Sequence, residues 1–182
     1  MNTSRPVVLV GLPGSGKSTV APLLADRLRI GVVDLDELIA QRSGSSVESI
    51  FARVGEPGFR LEEVAALEAA LAGAPSVIAT GGGVVTTAGA RSLLAGFPVV
   101  WLRATAQTLV SRLTTDATVR PLLAGSRGGD DLVAVLEGLM GERERYYTEV
   151  ASVVVDVDDL DGQAVSERVL FGLCEVIGVD DG

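Results

Sequence analysis

The feature that most limits the folds open to this chain is the stretch Gly11–Thr19, with the sequence GLPGSGKST. It follows the apolar run PVVLV and satisfies the pattern G-x-x-x-x-G-K-[ST], which occurs between a buried strand and a helix. There, backbone N–H groups and the start of the helix bind phosphate groups. The residues predicted to hold a nucleotide are Gly14, Ser15, Gly16, Lys17, Ser18 and Thr19.

Lys17 is the single lysine in a chain that has fourteen arginines. A compact ammonium fits among phosphate oxygens where a planar guanidinium does not, so its position inside the glycine-rich loop favours phosphate binding. Lys17 is expected to reach the β- and γ-phosphates, and Ser18 to offer its hydroxyl to Mg²⁺. The alternative is a turn that binds nothing, and the complete pattern in its context argues against it.

Composition excludes several classes of function. The formal net charge is −9, so the basic surface that nucleic acid requires is missing, and the absence of histidine rules out imidazole catalysis and His-ligated metals. No apolar run approaches the ~18 residues of a membrane span, the N-terminus MNTSRP lacks a signal-peptide pattern, and one cysteine cannot build a disulfide framework. We expect a cytoplasmic monomer that acts on small molecules and binds neither nucleic acid nor membrane.

Short valine-rich runs alternate with amphipathic segments, which predicts one α/β domain over residues 1–182 with a mainly parallel sheet. The predicted strands are Val7–Val10, Val32–Leu35, Val77–Ala79, Val99–Leu102 and Val153–Val157. The predicted helices are Lys17–Leu28, Phe59–Leu71, Thr105–Leu113, Leu132–Tyr147 and Gln163–Ile177. Two segments, Ala40–Glu56 and Thr114–Gly129, are longer than ordinary connections, and such excursions are usually functional.

Asp34 and Asp36 come at the end of the second predicted strand, in the sequence VVDLDELI. Ligands of open α/β sheets bind beyond the carboxyl ends of the strands, so both side chains are expected beside the phosphate loop. If the strand continued through Asp36, the two carboxylates would share one side and could hold Mg²⁺ and an acceptor hydroxyl. The alternative is that one of them caps the helix that follows.

Further along lie arginines and glycines that carry little information singly. Arg60 has Glu63 three residues later, which on a helix is close enough for an ion pair. Gly81, Gly82 and Gly83 follow a predicted strand and allow the backbone to approach a ligand closely. Arg120 lies in the second long segment, and Arg143 and Arg145 lie on a later helix.

Taken together and in order, these motifs resemble those of the shikimate kinase family, which belongs to the nucleoside-monophosphate-kinase-like group of P-loop kinases. The matching stretches are GLPGSGKST, DLDELI, GEPGFRLEE, GGGVV, TVRPLL and RERYYTEVA. A phosphate loop alone is generic, whereas DxD followed by GExxFRxxE and GGGxV is specific.

The resemblance implies a P-loop kinase fold, with a five-stranded parallel sheet in order 2-3-1-4-5 flanked by helices. It also implies a small acceptor-binding segment at about residues 36–62 and a mobile lid at about 114–129. The implied reaction moves the γ-phosphoryl group of MgATP to the 3-hydroxyl of shikimate, in aromatic amino acid biosynthesis.

Individual roles also follow from the resemblance alone. Asp36 would contact the acceptor hydroxyl as the base, and Asp34 would lie near Mg²⁺, through water. Arg60 and Arg143 would hold the shikimate carboxylate, with Arg145 as a competitor of Arg143. Gly81–Gly83 would border the ring, with the Gly82 N–H as a donor. Arg120 would reach the phosphates from the lid, and Arg112 would stack on adenine.

Two other functions stay open at this point. A sister P-loop kinase acting on gluconate or on a shikimate analogue would share the phosphate loop without needing FRxxE together with GGGxV. A nucleotide-binding regulator without catalysis would not need the full set of Lys17, Ser18, Asp34, Asp36 and Arg120.

Overall fold

The structure is a computed structural model that describes residues 3–115 and 129–177 of the chain. Most of the predicted lid, Thr114–Gly129, lies outside the described residues, and so does Arg120.

Five parallel strands form one sheet in the order β2-β3-β1-β4-β5, which confirms the predicted order. The strands are β1 (Val7–Val10), β2 (Gly31–Asp34), β3 (Ser76–Ala79), β4 (Val99–Arg103) and β5 (Val153–Asp156). The predicted strand boundaries differ from these by at most one residue. Because all strands run in one direction, their carboxyl ends lie at one edge of the sheet, and the loops that follow β1, β2 and β3 meet there.

Burial follows the position of each strand in the sheet. Every residue of β1 and β3 is buried, and in β4 only Arg103 is exposed. The outer strands β2 and β5 are partly exposed, so the prediction of strands buried on both faces is correct only for the central three. The buried centre of the sheet therefore carries the phosphate loop after β1 and the glycine triplet after β3.

The helices follow the strands in the expected alternation. They are α1 (Lys17–Leu28), α2 (Leu35–Ser43), α3 (Val47–Leu71), α4 (Ala88–Leu94), α5 (Ala106–Thr115), α6 (Gly129–Val150) and α7 (Gly162–Ile177), with a 3₁₀ turn at Val84–Thr86. Helix α1 packs against α7, and α4 contacts both α3 and α6. Within the described ranges, no helix is long and apolar enough to cross a membrane.

The segment Ala40–Glu56, which was expected to be an unusually long connection, is mostly helical. Helix α2 ends at Ser43, Gly44 adopts a left-handed conformation with φ 64°, and Ser46 caps α3 by accepting from the backbone N–H of Ser49. Helix α3 contains a break at Gly55, which has φ 66° and ψ −179°. The predicted acceptor-binding segment, residues 36–62, therefore consists of α2 and the first part of α3.

Candidate active site

The phosphate loop joins β1 to α1, and its glycines take backbone conformations that other residues rarely adopt. Gly14 and Gly16 have φ values of 82° and 96°. Lys17 is buried, and its Nζ donates hydrogen bonds to the carbonyl oxygens of Gly11 (2.8 Å) and Leu12 (3.0 Å) and to Ser15 Oγ (3.3 Å). The ammonium is thus held within the loop itself, in the position that phosphate oxygens would approach.

Asp34 and Asp36 occupy different structural positions, because β2 ends at Asp34 and α2 begins at Leu35. Asp34 is the helix cap, and its Oδ1 accepts from the backbone N–H groups of Asp36 (3.0 Å) and Glu37 (3.3 Å). The strand does not continue through Asp36, so the expected period-two alignment of the two carboxylates does not apply. Asp36 lies in the first helical turn, half-buried.

The three glycines after β3 pack so closely against the site that side chains would collide there. A Cβ atom on Gly81 would lie 2.8 Å from Glu63 Oε1 and 3.4 Å from Asp36 Oδ1. On Gly82 it would lie 2.7 Å from Cδ of Pro13 in the phosphate loop, and on Gly83 it would fall within the Arg60 guanidinium. The bare backbone therefore joins the phosphate loop to the acidic and basic side chains of α2 and α3.

Arg60 is held by two carboxylates on the same face of α3. Its Nη1 donates to Glu63 Oε2 at 2.8 Å and its Nη2 donates to Glu56 Oε1 at 2.9 Å. Burial alone would lower the pKa of Arg60, but the attraction of Glu63 and Glu56 outweighs it and raises the pKa. The guanidinium is therefore a fixed positive charge beside Gly83.

Glu63 is 1% exposed and belongs to the buried face of α3. Burial is the largest influence on the Glu63 carboxyl and raises its pKa, Arg60 and Arg143 oppose the rise, and the nearby Asp36 adds to it, so that the pKa is about 7. Its Oε1 has no hydrogen-bond partner among the described residues. Glu63 is thus a carboxyl group that changes its charge near neutral pH, between the two arginines.

Arg143 and Tyr147 reach the same atom from one face of α6. Arg143 Nη1 donates to the Gly82 carbonyl oxygen at 3.1 Å, and the Tyr147 hydroxyl donates to it at 2.6 Å. Arg143 is 6% exposed, whereas its competitor Arg145 is exposed and donates to the Tyr146 hydroxyl. The structure thus brings Arg143, and not Arg145, to the glycine triplet and to Glu63.

Arg112 connects the phosphate loop to the loop after β5. Its Nη2 donates to the carbonyl oxygens of Val157 (2.7 Å) and Leu160 (3.3 Å), and its Nη1 donates to that of Ser15 (3.4 Å). The acidic residues of the loop after β5 form local hydrogen bonds. Asp158 accepts from Thr105, and Asp161 accepts from the N–H of Ala164 at the start of α7.

Sequence reasoning missed Tyr147 and the contact of Gly82 with Pro13. A tyrosine with apolar neighbours on a helix is most often core, and Tyr147 is indeed fully buried. Its four-residue spacing from Arg143 was an available signal, because residues four apart lie on one helical face.

The titration of Glu63 leads to a prediction about stability. A pKa raised from 4.5 to about 7 means that folding gains stability from the protonated form below pH 4.5, and that this gain is lost as pH rises through about 7. The unfolding free energy of wild type minus that of Glu63→Gln should therefore fall across this window, by at most about 3 kcal/mol. Urea titrations at several pH values measure it. Glu62→Gln, at the exposed neighbour, is the control; equal slopes in wild type and Glu63→Gln would contradict the assignment.

Comparison with known proteins identifies the family. The family model for shikimate kinase matches residues 13–173. A shikimate kinase from Mycobacterium tuberculosis is 45% identical over 166 residues, covering 91% of this chain and 92% of the relative. The chain belongs to the shikimate kinase family.

Solved structures agree with this placement. The shikimate kinase from Acinetobacter baumannii, in complex with shikimate, superposes with a TM-score of 0.86 at 29% identity, covering 97% of this chain and 94% of that one. A gluconokinase from Sinorhizobium meliloti superposes with a TM-score of 0.65 at 20% identity, over 97% of this chain and 95% of that one, which shows a shared fold alone. Membership of the shikimate kinase family makes the chain an ATP-dependent kinase, while the role of each site residue stays a prediction.

Proposed function

We propose that this chain transfers the γ-phosphoryl group of MgATP to the 3-hydroxyl of shikimate, giving shikimate 3-phosphate and ADP for aromatic amino acid biosynthesis. The observation that carries the choice of acceptor is the pair of arginines at the glycine triplet, of which Arg143 is buried and Arg60 is half-buried. Among the described residues, the Nε atoms of Arg60 and Arg143 are buried and have no hydrogen-bond partner. Donors in that condition favour an anionic ligand, since an unpaired buried donor is costly.

A carboxylate on a small ring suits these arginines. Arg60 lies against Gly83, and Arg143 is bonded to Gly82, so the two cations approach one stretch of backbone from α3 and α6. A charged acceptor can bind a chain of net charge −9 in this way because the positive field is local. The acceptor hydroxyl would then lie on the Asp36 side of the triplet, where Gly81 approaches the Asp36 carboxylate.

The proposed chemistry relies on positioning and charge neutralisation, as phosphoryl transfer generally does. Asp36 would accept the proton of the acceptor hydroxyl, because the chain has no histidine to do so. Lys17 would stabilise the phosphate oxygens, and Arg120, which lies outside the described residues, would add a second positive charge. Exclusion of water by the predicted lid would limit ATP hydrolysis.

The oxygen ligands available near the phosphate loop suit Mg²⁺. Ser18 is exposed at the start of α1, and the half-buried Asp34 stands at the end of β2, so a hydroxyl and a carboxylate face the same edge of the sheet. Mg²⁺ commonly takes one or two protein ligands and fills its remaining positions with water and phosphate oxygens. When bound, the ion would neutralise charge on the phosphates. Within the described ranges no group of three or more acidic or thiol side chains forms a metal site.

The acceptor is tested by removing each arginine and by removing the charge of the acceptor. Arg60→Ala and Arg143→Ala should each lower kcat/KM for shikimate about 30- to 1000-fold while leaving ATP affinity close to wild type. Lysine at either position should restore activity only in part, because an ammonium lacks the planar two-pronged geometry. Arg145→Ala is the matched control, since Arg145 is exposed two residues away on the same helix, and it should behave as wild type.

An analogue of shikimate in which a neutral amide replaces the carboxylate distinguishes recognition of the negative charge from general packing. Wild type should phosphorylate it poorly, and the arginine variants should lose much less further activity on it. Equal turnover of acid and amide by wild type would mean that the arginines do not read a carboxylate. A coupled assay that offers shikimate or gluconate with ATP distinguishes the sister kinase, which would use gluconate, from a non-catalytic regulator, which would use neither.

Two further parts of the proposal concern assembly and location. We infer a monomer that works in the cytoplasm on small molecules without nucleic acid or membrane partners, as the acidic composition and the single cysteine favour. Sedimentation at micromolar concentration tests the monomer directly.

A further inference from the structure

The carbonyl oxygen of Gly82 accepts two hydrogen bonds from one helical face of α6. Tyr147 supplies the shorter, at 2.6 Å, and Arg143 supplies the other, at 3.1 Å. Both side chains are buried, with exposed fractions of 0% for Tyr147 and 6% for Arg143. Arg143 is also proposed to bind a carboxylate, so Tyr147 is the donor to this carbonyl that has no proposed contact with the ligand.

Packing fixes the direction of the Tyr147 hydroxyl. Its ring stacks on Trp101 of β4, with ring centroids 5.3 Å apart and planes 18° from parallel. Trp101 is itself 2% exposed, in a strand at the centre of the sheet. Burial raises the pKa of Tyr147 well above its usual range, so the hydroxyl stays protonated and remains a donor.

Gly82 lies where the phosphate loop meets the side chains of α3. A Cβ atom there would lie 2.7 Å from Pro13 of the phosphate loop, while its neighbours Gly81 and Gly83 approach Glu63 and Arg60. In a planar trans peptide the carbonyl and the next N–H point in opposite directions, so holding the Gly82 carbonyl also sets the direction of the Gly83 N–H. A rotation of this one peptide would disturb the phosphate loop and the acceptor arginines together.

We propose that Tyr147 is a positioning residue for phosphoryl transfer, and that its hydroxyl holds the Gly82–Gly83 peptide in the orientation that the acceptor pocket needs. The expected effect of Tyr147 on kcat/KM rests on the proposed function. The orientation of the Gly82–Gly83 peptide does not, because it is a property of the protein without ligand. Tyr147 acts through Gly82 and is not expected to touch the substrate.

The test compares Tyr147→Phe with Trp101→Phe. The first removes one hydroxyl and keeps the ring, whereas the second removes packing beneath the ring and keeps the hydroxyl. Tyr147→Phe should lower kcat/KM for shikimate about tenfold, the cost of one lost buried hydrogen bond, and should leave KM for ATP close to wild type. Trp101→Phe should lower the melting temperature more than Tyr147→Phe does, with a smaller change in kcat/KM.

Hydrogen–deuterium exchange of the peptide that contains Gly81–Gly83 gives a second measurement that needs no substrate. Exchange there should be faster in Tyr147→Phe than in wild type, and little changed in Trp101→Phe. Wild type that fails to phosphorylate shikimate would overturn the proposed function, and exchange alone would then decide the role of Tyr147. If Tyr147→Phe had the same exchange rate at Gly81–Gly83 and the same kcat/KM as wild type, the positioning role would be overturned.

Discussion

If Lys17 has its proposed role, Lys17→Ala should lower kcat about 10²- to 10³-fold or more, because the change removes a positive charge that would stabilise the phosphate oxygens as they gain charge. The ammonium is buried and is held by carbonyl oxygens of the loop, so wild type has it in place before the nucleotide arrives. Steady-state kinetics with saturating ATP and shikimate measures the loss.

The control for Lys17→Ala separates charge from loop structure. The substitution also removes the hydrogen bonds from Nζ to the loop, so circular dichroism and the melting temperature are needed to show that the fold persists. Lys17→Arg keeps a positive charge but places a larger planar group among the phosphate oxygens, and should restore little activity. Near-normal turnover in Lys17→Ala would show that the loop does not act on the transferred phosphate.

Asp36→Asn should lower kcat about 10²-fold or more, in the range that removal of a general base gives. Asparagine keeps the size of the side chain and one acceptor oxygen, so the loss reports on the proton-accepting charge. The same substitution removes a carboxylate that raises the pKa of Glu63, so Glu63 should ionise at lower pH in the variant. The pH dependence of stability measures that second effect.

Glu37→Gln is the matched control for Asp36→Asn, because Glu37 is an exposed acid in the same first turn of α2. It should leave kcat close to wild type. If Asp36→Asn kept a wild-type kcat with only a raised KM for shikimate, Asp36 would bind the acceptor without taking its proton. A loose transition state makes this outcome chemically reasonable, since little proton transfer is then needed early in the reaction.

Elements that are specified by neighbouring residues in the chain could be predicted from the sequence. The phosphate loop, helix α1 and the strands follow from a spacing pattern and from valine-rich runs, and the order of the sheet follows from the resemblance that those motifs carry. The partial exposure of β2 and β5 was not predicted, although both edge strands end in an aspartate and the central strands β1 and β3 contain no charged residue.

The segment Ala40–Glu56 shows where local signals fail. Gly55 and Pro57 discourage a helix, and both lie within the span of α3. The helix accommodates them by a single break at Gly55, and Phe51 stacks on Phe59 across it at 4.2 Å between ring centroids. Packing across the break outweighs the unfavourable propensity, and a local sequence pattern does not contain that information.

At the site, the residue types were predictable and their neighbours were not. The sequence shows Arg60, Glu63, Arg143 and the glycines, but not that Gly82 packs on Pro13 or that Tyr147 bonds to Gly82. Those contacts join residues that are far apart in the chain. The choice of Arg143 over Arg145 follows from the helical face that Tyr147 shares with the former.

The close packing of the glycine triplet has a consequence for anyone who wishes to engineer a broader acceptor range. This wall of the pocket is already bare backbone, and any substitution at Gly81, Gly82 or Gly83 adds atoms where Glu63, Pro13 and Arg60 stand. The pocket can therefore be made smaller from this side but not larger. Room for a bulkier acceptor must come from the side chains of α2, α3 and α6, and under the proposed roles, replacing Arg60 or Arg143 there would remove the charge that selects the acid.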